Sequence, residues 1–594
     1  MSFFRFRTVI SCHSPPCPLC ELMGEEMRHM EHKKNKELKI IFLVVTIYFL
    51  IFLAVPILML LFKSLQADEQ TGLANYQEVL GKRGFFQALQ NSFVISAVSA
   101  AASTLLGFFL AYTIHYTGLP RIHKTFVYRL AQLPMYLPTI TYGFAIIYSF
   151  GKQGLITRIL GRQPFELYGF AGLLTGYVIY TLPVAFLLIQ NTMHYIDKSF
   201  MVVSRIMGDN PVRTFCTTLL RPLLSTLVSA FIQTFFLCFT DFGIPASVGG
   251  RYETIAGVLY KEMLGSVPDF GKGAVVAFVM LLPSVLSILG LHALEKYNVR
   301  YSKVSNLEVR KSRLRDGICG TFSTLILISV LSVFAVIFIL PFIHEWPYRI
   351  TFTLDHIKSV FRDNALSQVV INSLKVSLIT AFFGTLTAYG SALITARSNL
   401  GHPIKRMIEG IAMVTNTIPG MVLGLSYLFV FSGTFLQGTL AILVGCTIVH
   451  YFSTPYLMMK SCLSKMNASW ETTALLMGDK WLHTILRVVT PNAFGTIVEV
   501  FGYYFINAMV TISAVIFIAG ARTMVITAKI KELQYYNKFN EVFVLSMLIL
   551  IINLSGRVVF TRLGRLGIRK EKNNERYKES IGAAAGSSDG VCRS

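Results

Sequence analysis

The sequence predicts an all-α integral membrane protein of about twelve transmembrane helices, arranged as two homologous six-helix halves. Three observations carry this reading. The 594-residue chain is 53% hydrophobic and only 14% charged, against about 25% charged residues in a soluble domain. Its apolar residues fall in long uncharged runs and not in alternating strands, which argues against a β-barrel. Its landmarks also recur in the same order, 270 to 281 residues apart.

The run from Ile40 to Phe62 is 23 residues long and stands between Lys39 and Lys63. That length crosses a hydrocarbon core of ~30 Å as a helix. Eleven more runs follow, giving spans 1 to 12 at 40–62, 92–116, 127–150, 169–193, 223–248, 273–294, 320–343, 369–395, 407–431, 438–459, 493–519 and 541–560. Span 1 is too long and too rich in Leu, Ile and Phe for a cleaved signal segment, and no small-residue cleavage site follows it. Met23, Met27 and Met30 are alternative starts, because "MEHKKNKELK" is already a sufficient basic flank.

The formal charge of +23 is distributed by side. Segments 1–39, 117–129, 194–222, 295–319, 396–406, 460–492 and 557–594 hold 37 of the 54 Lys and Arg. This positive-inside bias places both termini in the cytoplasm. The charge therefore reads as a topology signal, and no nucleic-acid partner is expected. The nine cysteines form no evenly spaced framework, so no disulfide scaffold is expected. Cys17 and Cys20 make a CxxC near His13, but a metal site needs four ligands in a folded setting and this is a short Pro-rich tail. No metal site is expected.

The repeat is read from ordered pairs. Asn91-Ser92 and Asn372-Ser373 open spans 2 and 8, and Pro138 with Gly143 matches Pro419 with Gly424, all at an offset of 281. Pro183 and Pro455 follow at 272, and Gly208-Asp209 and Gly478-Asp479 at 270. Residues 231–250 align without gaps on 501–520. Six spans is an even number, so both halves enter from the same side and their interface is the natural pathway. Prolines inside spans free backbone carbonyls that must find partners in protein or cavity water. Pairing across the repeat marks Pro138, Gly143, Pro419 and Gly424 as pathway candidates. Asp241, beside Thr240 and two-thirds along span 5, reads either as a polar lining group or as the cap of a broken segment; its repeat partner is Thr511. Glu409 and Lys375 lie near span ends where they can snorkel, and His450 reads as a packing or gate residue.

"WETTALLMGDKWLHTILRVVTPNAF" (470–494) and "SRIMGDNPVRTFCTTLLRPLL" (204–224) are amphipathic segments bent at Gly-Asp. Each predicts two short helices across a tight corner. Gly478 permits the turn. Ser469 is placed to cap the first helix and Asp479 the second, with Pro491 ending the second helix before span 11. Such an apolar corner in water calls for burial against its own spans or a partner.

These segments resemble the signature of inner-membrane permeases of binding-protein-dependent ABC importers: Glu-Ala-Ala, three residues, Gly, nine residues, Ile-x-Leu-Pro. Thr472, Thr473 and Ala474 occupy the triplet in the second half, with Gly478, Val488, Thr490 and Pro491 following and Glu471 one place early. In the first half Val202, Val203 and Ser204 replace the triplet, Gly208 matches, and Pro222 falls one residue late. The Glu is missing from its position in both halves. The resemblance covers about residues 40–560 and implies a type I ABC importer permease fold. It makes Ser204, Gly208, Asp209, Glu471, Ala474, Gly478, Asp479 and Pro491 contacts to two copies of a separate ATPase subunit. It implies an extracytoplasmic solute-binding protein as a further partner and the bacterial inner membrane as the location. The division is then a tail (1–39), a first permease half (40–294), a basic linker (295–319), a second half (320–560) and a second tail (561–594). No G-x-x-x-x-G-K-[ST] loop occurs, so the chain is expected to bind no cofactor, to carry no catalytic residue and to leave ATP to its partners. The fused form and "TDFGIPASVGG" are most similar to permeases for ferric iron or 2-aminoethylphosphonate. A proton-coupled transporter with two six-span halves is the alternative, but the loop between spans 2 and 3, "YTGLPRIHKTF", lacks the Gly/Asp/Arg pattern of that class.

Overall fold

A computed structural model describes residues 36–67, 70–265, 267–295, 312–398, 400–467 and 469–588. The CxxC motif, the alternative start methionines and most of the basic linker lie outside these residues. Every predicted span has helix at its place. Eight are single helices: Lys36–Leu65, Arg83–Tyr116, Phe170–His194, Pro211–Thr240, Arg313–Phe342, Asn364–Arg397, Trp481–Val510 and Phe539–Arg565. Span 6 is a shorter apolar helix, Phe270–Val285, continuing in the helix to Glu295.

Spans 3, 9 and 10 are broken, not the single helices expected. Arg121–Tyr136 meets Thr139–Leu160 at 108°, His402–Thr415 meets Gly420–Phe431 at 107°, and Leu440–His450 meets Ser453–Lys465 at 58°. Proline sets the two sharp breaks. Leu137, the residue before Pro138, is extended at φ −122°, ψ 147°, as proline demands of its predecessor. Pro138 and Pro419 then stand as the N-caps of the second pieces.

Spans 5 and 11 also differ from expectation. They start earlier, at Pro211 and Trp481, and stop earlier, at Thr240 and Val510. Pro491 does not end a helix. A five-residue π turn at Ile485–Val489 carries the helix through it, as Cys216–Leu220 does before Pro222 and Leu50–Ala54 does before Pro56. The wider turn makes room for a ring that would otherwise strike the carbonyl four residues back. At Pro56 the carbonyl four back belongs to Phe52, and it accepts the Tyr427 hydroxyl at 2.6 Å.

The repeat is visible in matched lengths. Spans 2 and 8 have 34 residues each, and the helices Ile255–Leu264 and Ile526–Tyr535 have ten each. Ser92 accepts the Ile255 amide and Ser373 the Ile526 amide, both at 2.8 Å. Spans 1 and 7 both run into a small antiparallel hairpin, Gln66–Ala67 with Gln70–Thr71 and Ile343–Glu345 with Arg349–Phe352.

The leading span of each half packs on the other half. In span 1, Phe52 stacks near Tyr427 and Phe431, with ring centroids 6.1 and 5.7 Å apart, and Tyr48 donates to the Gly445 carbonyl at 3.0 Å. In span 7, Phe322 meets Phe109 at 4.8 Å and Ser323 bonds His123 at 3.1 Å. This exchange ties the halves into one body. Further bonds cross between them: Asn553 to the Tyr136 carbonyl at 3.0 Å, Arg557 to Gln132 at 2.6 Å, and Thr141 to Ser546 at 3.2 Å.

Glycine allows the broken spans to pack tightly. A Cβ on Gly424 would lie 2.2 Å from the Ala514 carbonyl oxygen, whereas one on Gly410 would meet nothing within 4 Å. Gly424→Ala is expected to cost about 1–3 kcal/mol through overpacking and to lower the melting temperature of the detergent-solubilised chain. Gly410→Ala, on an open helix face, is expected to leave it unchanged or raise it.

Candidate functional site

Two regions concentrate the predicted site residues: the Gly-Asp corners, and the places where spans 5 and 11 end against the broken spans 3 and 9.

The helices Ser199–Ile206 and Ser469–Leu476 each have eight residues and each end at a left-handed glycine, with φ +86° at Gly208 and +79° at Gly478. Nothing lies within 4 Å of a Cβ at either position, so the backbone angle and not close approach requires glycine. The Asp209 amide bonds the Ser204 carbonyl at 3.1 Å and the Asp479 amide bonds the Ala474 carbonyl at 2.9 Å. These are the six-residue loops that close a helix C-terminus over an αL residue. Ser204 and Ala474 thus have the same task, and they accept through their backbone.

The aspartates do not cap the next helix as expected. Asn210 caps in the first half, accepting the Arg213 amide at 2.7 Å, and Lys480 holds the capping position in the second without a side-chain bond. Asp209 pairs with Arg213 at 3.1 Å and accepts the Ser204 hydroxyl at 2.7 Å. Asp479 pairs with His483 at 2.7 Å, and that hydrogen bond holds its carboxyl below the usual range. Each pair joins an acid to a base four residues on, near a positive helix N-terminus. Nor does Ser469 cap: its amide and hydroxyl both bond the Asn467 side chain, at 3.0 and 2.6 Å.

Glu471 does not face outward. It is 8% exposed and its carboxylate lies 3.0 Å from Arg397 Nε. Arg397, the last residue of span 8, also donates to the carbonyls of Met466 and Asn467 at 2.9 and 3.1 Å. The acid one place early in the signature therefore fastens the corner to its own half. In the first half the residue matching Arg397 is Tyr116, over whose ring Lys198 lies at 5.9 Å. Arg397 was missed from sequence; the signal was an arginine closing a long apolar run at a position where the first half has tyrosine.

The corner tips are apolar and open. Ile206 and Met207 are 80% and 77% exposed, and their repeat partners Leu476 and Met477 are 63% and 82% exposed. Helices of 30 residues, about 45 Å long, run from these corners to the far ends of spans 5 and 11. There the two halves meet, with Lys531 over the rings of Phe242 and Tyr260. Both corners consequently stand on the face opposite that contact.

At those far ends the predicted pathway residues are buried, except Thr240, which is half-buried. Asp241 lies just past the helix end, not two-thirds along a span; it is 6% exposed and accepts the Ile244 amide at 2.9 Å. That is the cap reading of Asp241. Thr511 is the matching end residue, 5% exposed, with its carbonyl taking the Thr527 hydroxyl at 2.8 Å. Thr240 bonds back to the Phe236 carbonyl. Pro138 and Pro419 are buried at the breaks. Gly143 lies against Ser247, as Gly424 does against Ala514. One pair of contacts exchanges its glycine. A Cβ on Gly243 would strike Thr139 and the Ile140 amide, and a Cβ on Gly420 would strike Ser513. Thr139 matches Gly420 and Gly243 matches Ser513, so each contact has one glycine on opposite sides. Gly420 and Ser513 were legible from the repeat offsets but only in pairs with residues across the contact. His450 is half-buried beside Gly420, and Glu409 pairs with Lys460 at 2.6 Å. Among the described residues no group of three His, Cys, Asp or Glu is placed to hold a metal ion.

Removing Arg397 leaves Glu471 buried without its partner, which costs about 3–5 kcal/mol, whereas replacing both with apolar residues is often tolerated. Arg397→Met should therefore melt well below the Arg397→Met/Glu471→Leu double variant in detergent. At the corners, Gly208→Ala with Gly478→Ala should cost about 1–2 kcal/mol per site in αL strain, and Asn at both sites should cost less.

The described family of binding-protein-dependent transport system inner membrane components matches residues 103–297 and again 384–566. A ferric transport system permease protein of Actinobacillus pleuropneumoniae is 24% identical over 473 residues, covering 76% of this chain and 67% of that protein. A spermidine/putrescine transport system permease protein homologue of Mycoplasma pneumoniae is 26% identical over 234 residues, covering 39% and 76%. A relative from Salmonella typhi named for 2-aminoethylphosphonate transport is 25% identical over 243 residues, covering 38% and 79%. With the family matched once in each half and over most of its length, this chain belongs to the inner membrane components of binding-protein-dependent transport systems, as a fused permease.

Proposed function

We propose that this chain supplies both membrane domains of one ABC importer and moves a small solute inward by alternating access. Two copies of a separate ATPase subunit seat on the two corners, and a solute-binding protein delivers cargo at the opposite face, so both termini lie in the cytoplasm of a bacterium. The observation that carries the reading is the pair of corners. They share a left-handed glycine, an acid–base pair and an open apolar tip, and they stand on one face of a chain in which the family occurs twice. An exposed apolar tip is a docking surface for a helix or groove of a partner.

The rods from corner to far end give the proposal its mechanism. A corner moved by ATPase closure carries its span as a rigid body, and the contacts of Gly243 and Ser513 with spans 3 and 9 shift with it. Binding of ATP to the partner biases a two-state packing, and this chain binds no nucleotide or other cofactor itself. The relatives' names carry several solutes, spermidine/putrescine, sulfate and molybdenum among them; iron(III) and a phosphonate are the two this reading takes up. The proton-coupled alternative gains nothing from the family match, since that class has no binding protein.

The test is reconstitution. Purified alone, the chain should show no ATP turnover; with its ATPase and binding protein in liposomes it should take up solute only with ATP. Hydrolysis by the chain alone, or uptake driven by a proton gradient without ATP, would overturn the assignment. The Gly208→Ala/Gly478→Ala variant should insert normally and lose most uptake and ATPase co-purification.

A further inference from the structure

Residues related by a two-fold repeat that touch each other lie on its axis. The helices Ile255–Leu264 and Ile526–Tyr535 are repeat partners, fixed in register by the Ser92 and Ser373 bonds to their first amides. Asn91 bonds the Glu253 carbonyl at 3.1 Å, and Asn372 bonds the matching Met524 carbonyl at 3.2 Å as well as that of Arg522 at 3.0 Å. In that register Tyr260 corresponds to Lys531, and the Lys531 ammonium lies 5.6 Å from the centre of the Tyr260 ring. The pair therefore marks the pseudo-two-fold axis at the face opposite the corners. In parallel-repeat transporters the substrate path follows the interface around that axis.

The ammonium is half-buried there among rings. Phe242 and Tyr260 stack at 4.4 Å, and Lys531 also stands 5.7 Å from Phe242. Its polar bond goes to Gln534 Oε1 at 2.8 Å, and Gln534 in turn donates to the Ala246 carbonyl of the other half at 3.2 Å. No carboxylate pairs with it among the described residues. Glu532, the next residue along the chain, is engaged with Lys529 at 2.6 Å, and Asp241, next to Phe242 in the other half, with the Ile244 amide. Burial pushes the Lys531 ammonium down to about 8. A half-buried cation without an acid is costly. The first half holds an uncharged ring at the same position, so the packing of the fold does not require the charge.

Resting on the reading of the chain as an importer permease, we propose that Lys531 is an anion-recognition residue of the pathway, and that the transported solute carries an anionic oxyacid group instead of entering as a bare ferric cation. With the mouth closed, the ammonium rests on the Phe242–Tyr260 pair. As the halves part, it exchanges those rings for the oxygens of the solute. An oxyanion suits a point-charge donor such as lysine. A phosphonate supplies that group itself, and iron(III) supplies it through an anionic ligand that travels with it.

The test measures initial uptake against concentration in cells producing the complete transporter. Three probes are used: 2-aminoethylphosphonate, iron(III) presented with pyrophosphate, and iron(III) in an uncharged hydroxamate complex. The expected result is uptake of one of the first two. Lys531→Gln should raise KM about ten-fold or more, as loss of one partner of a desolvated charge contact does, while Lys531→Arg stays near the parent. Uptake of the phosphonate alone identifies a phosphorus oxyanion; uptake of the pyrophosphate-borne iron identifies a carried anion. Preferred uptake of the uncharged complex, an unchanged KM in Lys531→Gln, or equal losses in Lys531→Gln and Lys531→Arg would each overturn the proposal. Binding-protein stimulation of ATP hydrolysis, measured in parallel, reports on the importer reading independently: if it persists while the uptake prediction fails, only the role of Lys531 falls.

Discussion

Backbone groups released inside an apolar helix must be bonded within the protein, because lipid offers them nothing. Much of this structure follows from how that demand is met. Where proline enters a continuous helix, at Pro56, Pro222 and Pro491, a π turn precedes it and the chain continues. At Pro56 the freed Phe52 carbonyl is taken by Tyr427 of the other half, so a local backbone defect becomes a link between halves. Where proline follows an extended residue, at Pro138, the helix breaks outright and a second piece begins almost at right angles. Those breaks create the niches that receive the ends of spans 5 and 11.

The two halves keep one backbone and vary what occupies it. Tyr116 and Arg397 close equal helices, one under Lys198 and the other on Glu471. Thr139 with Gly243 and Gly420 with Ser513 make the same close approach with the glycine on opposite sides. Asp241 and Thr511 end matched helices, one through its carboxylate and one through its carbonyl. Geometry is preserved because tight packing has few solutions. Chemistry drifts wherever a different side chain can satisfy the same backbone. Arg397 and Asp241 are charges of one half that hold the fold; Lys531 differs from them in pairing with no acid among the described residues, which is why a role toward the solute is proposed for it.

The corners and the far contacts are the two ends of the same rods. A stiff helix of about 45 Å transfers displacement with little loss, as the proposed coupling between the two faces requires. The exchange of spans 1 and 7 has a matching consequence: each half holds an outer helix of its neighbour, which keeps the halves together through the proposed motion.

The sequence by itself determined the class, the places of the apolar helices, the duplication and the two corners. Each of these depends on local composition, on the spacing of charges, or on order along the chain, all of which are written in one dimension. It also located Pro138, Gly143, Pro419 and Gly424 as matched positions. The tertiary structure alone decided what those positions do. Nothing local distinguishes a proline that a π turn absorbs, such as Pro491, from one that breaks a span, such as Pro419. Glu471 read as an outward contact because its partner, Arg397, is 74 residues away. Asp241 read as an intramembrane charge because the helix end at Thr240 is fixed by how Gly243 meets Thr139 and the Ile140 amide, 104 and 103 residues earlier. The pairing of Tyr260 with Lys531 across the axis was equally hidden. Contacts between distant segments form where two surfaces fit, and fit is a property of the folded pair that neither segment states alone.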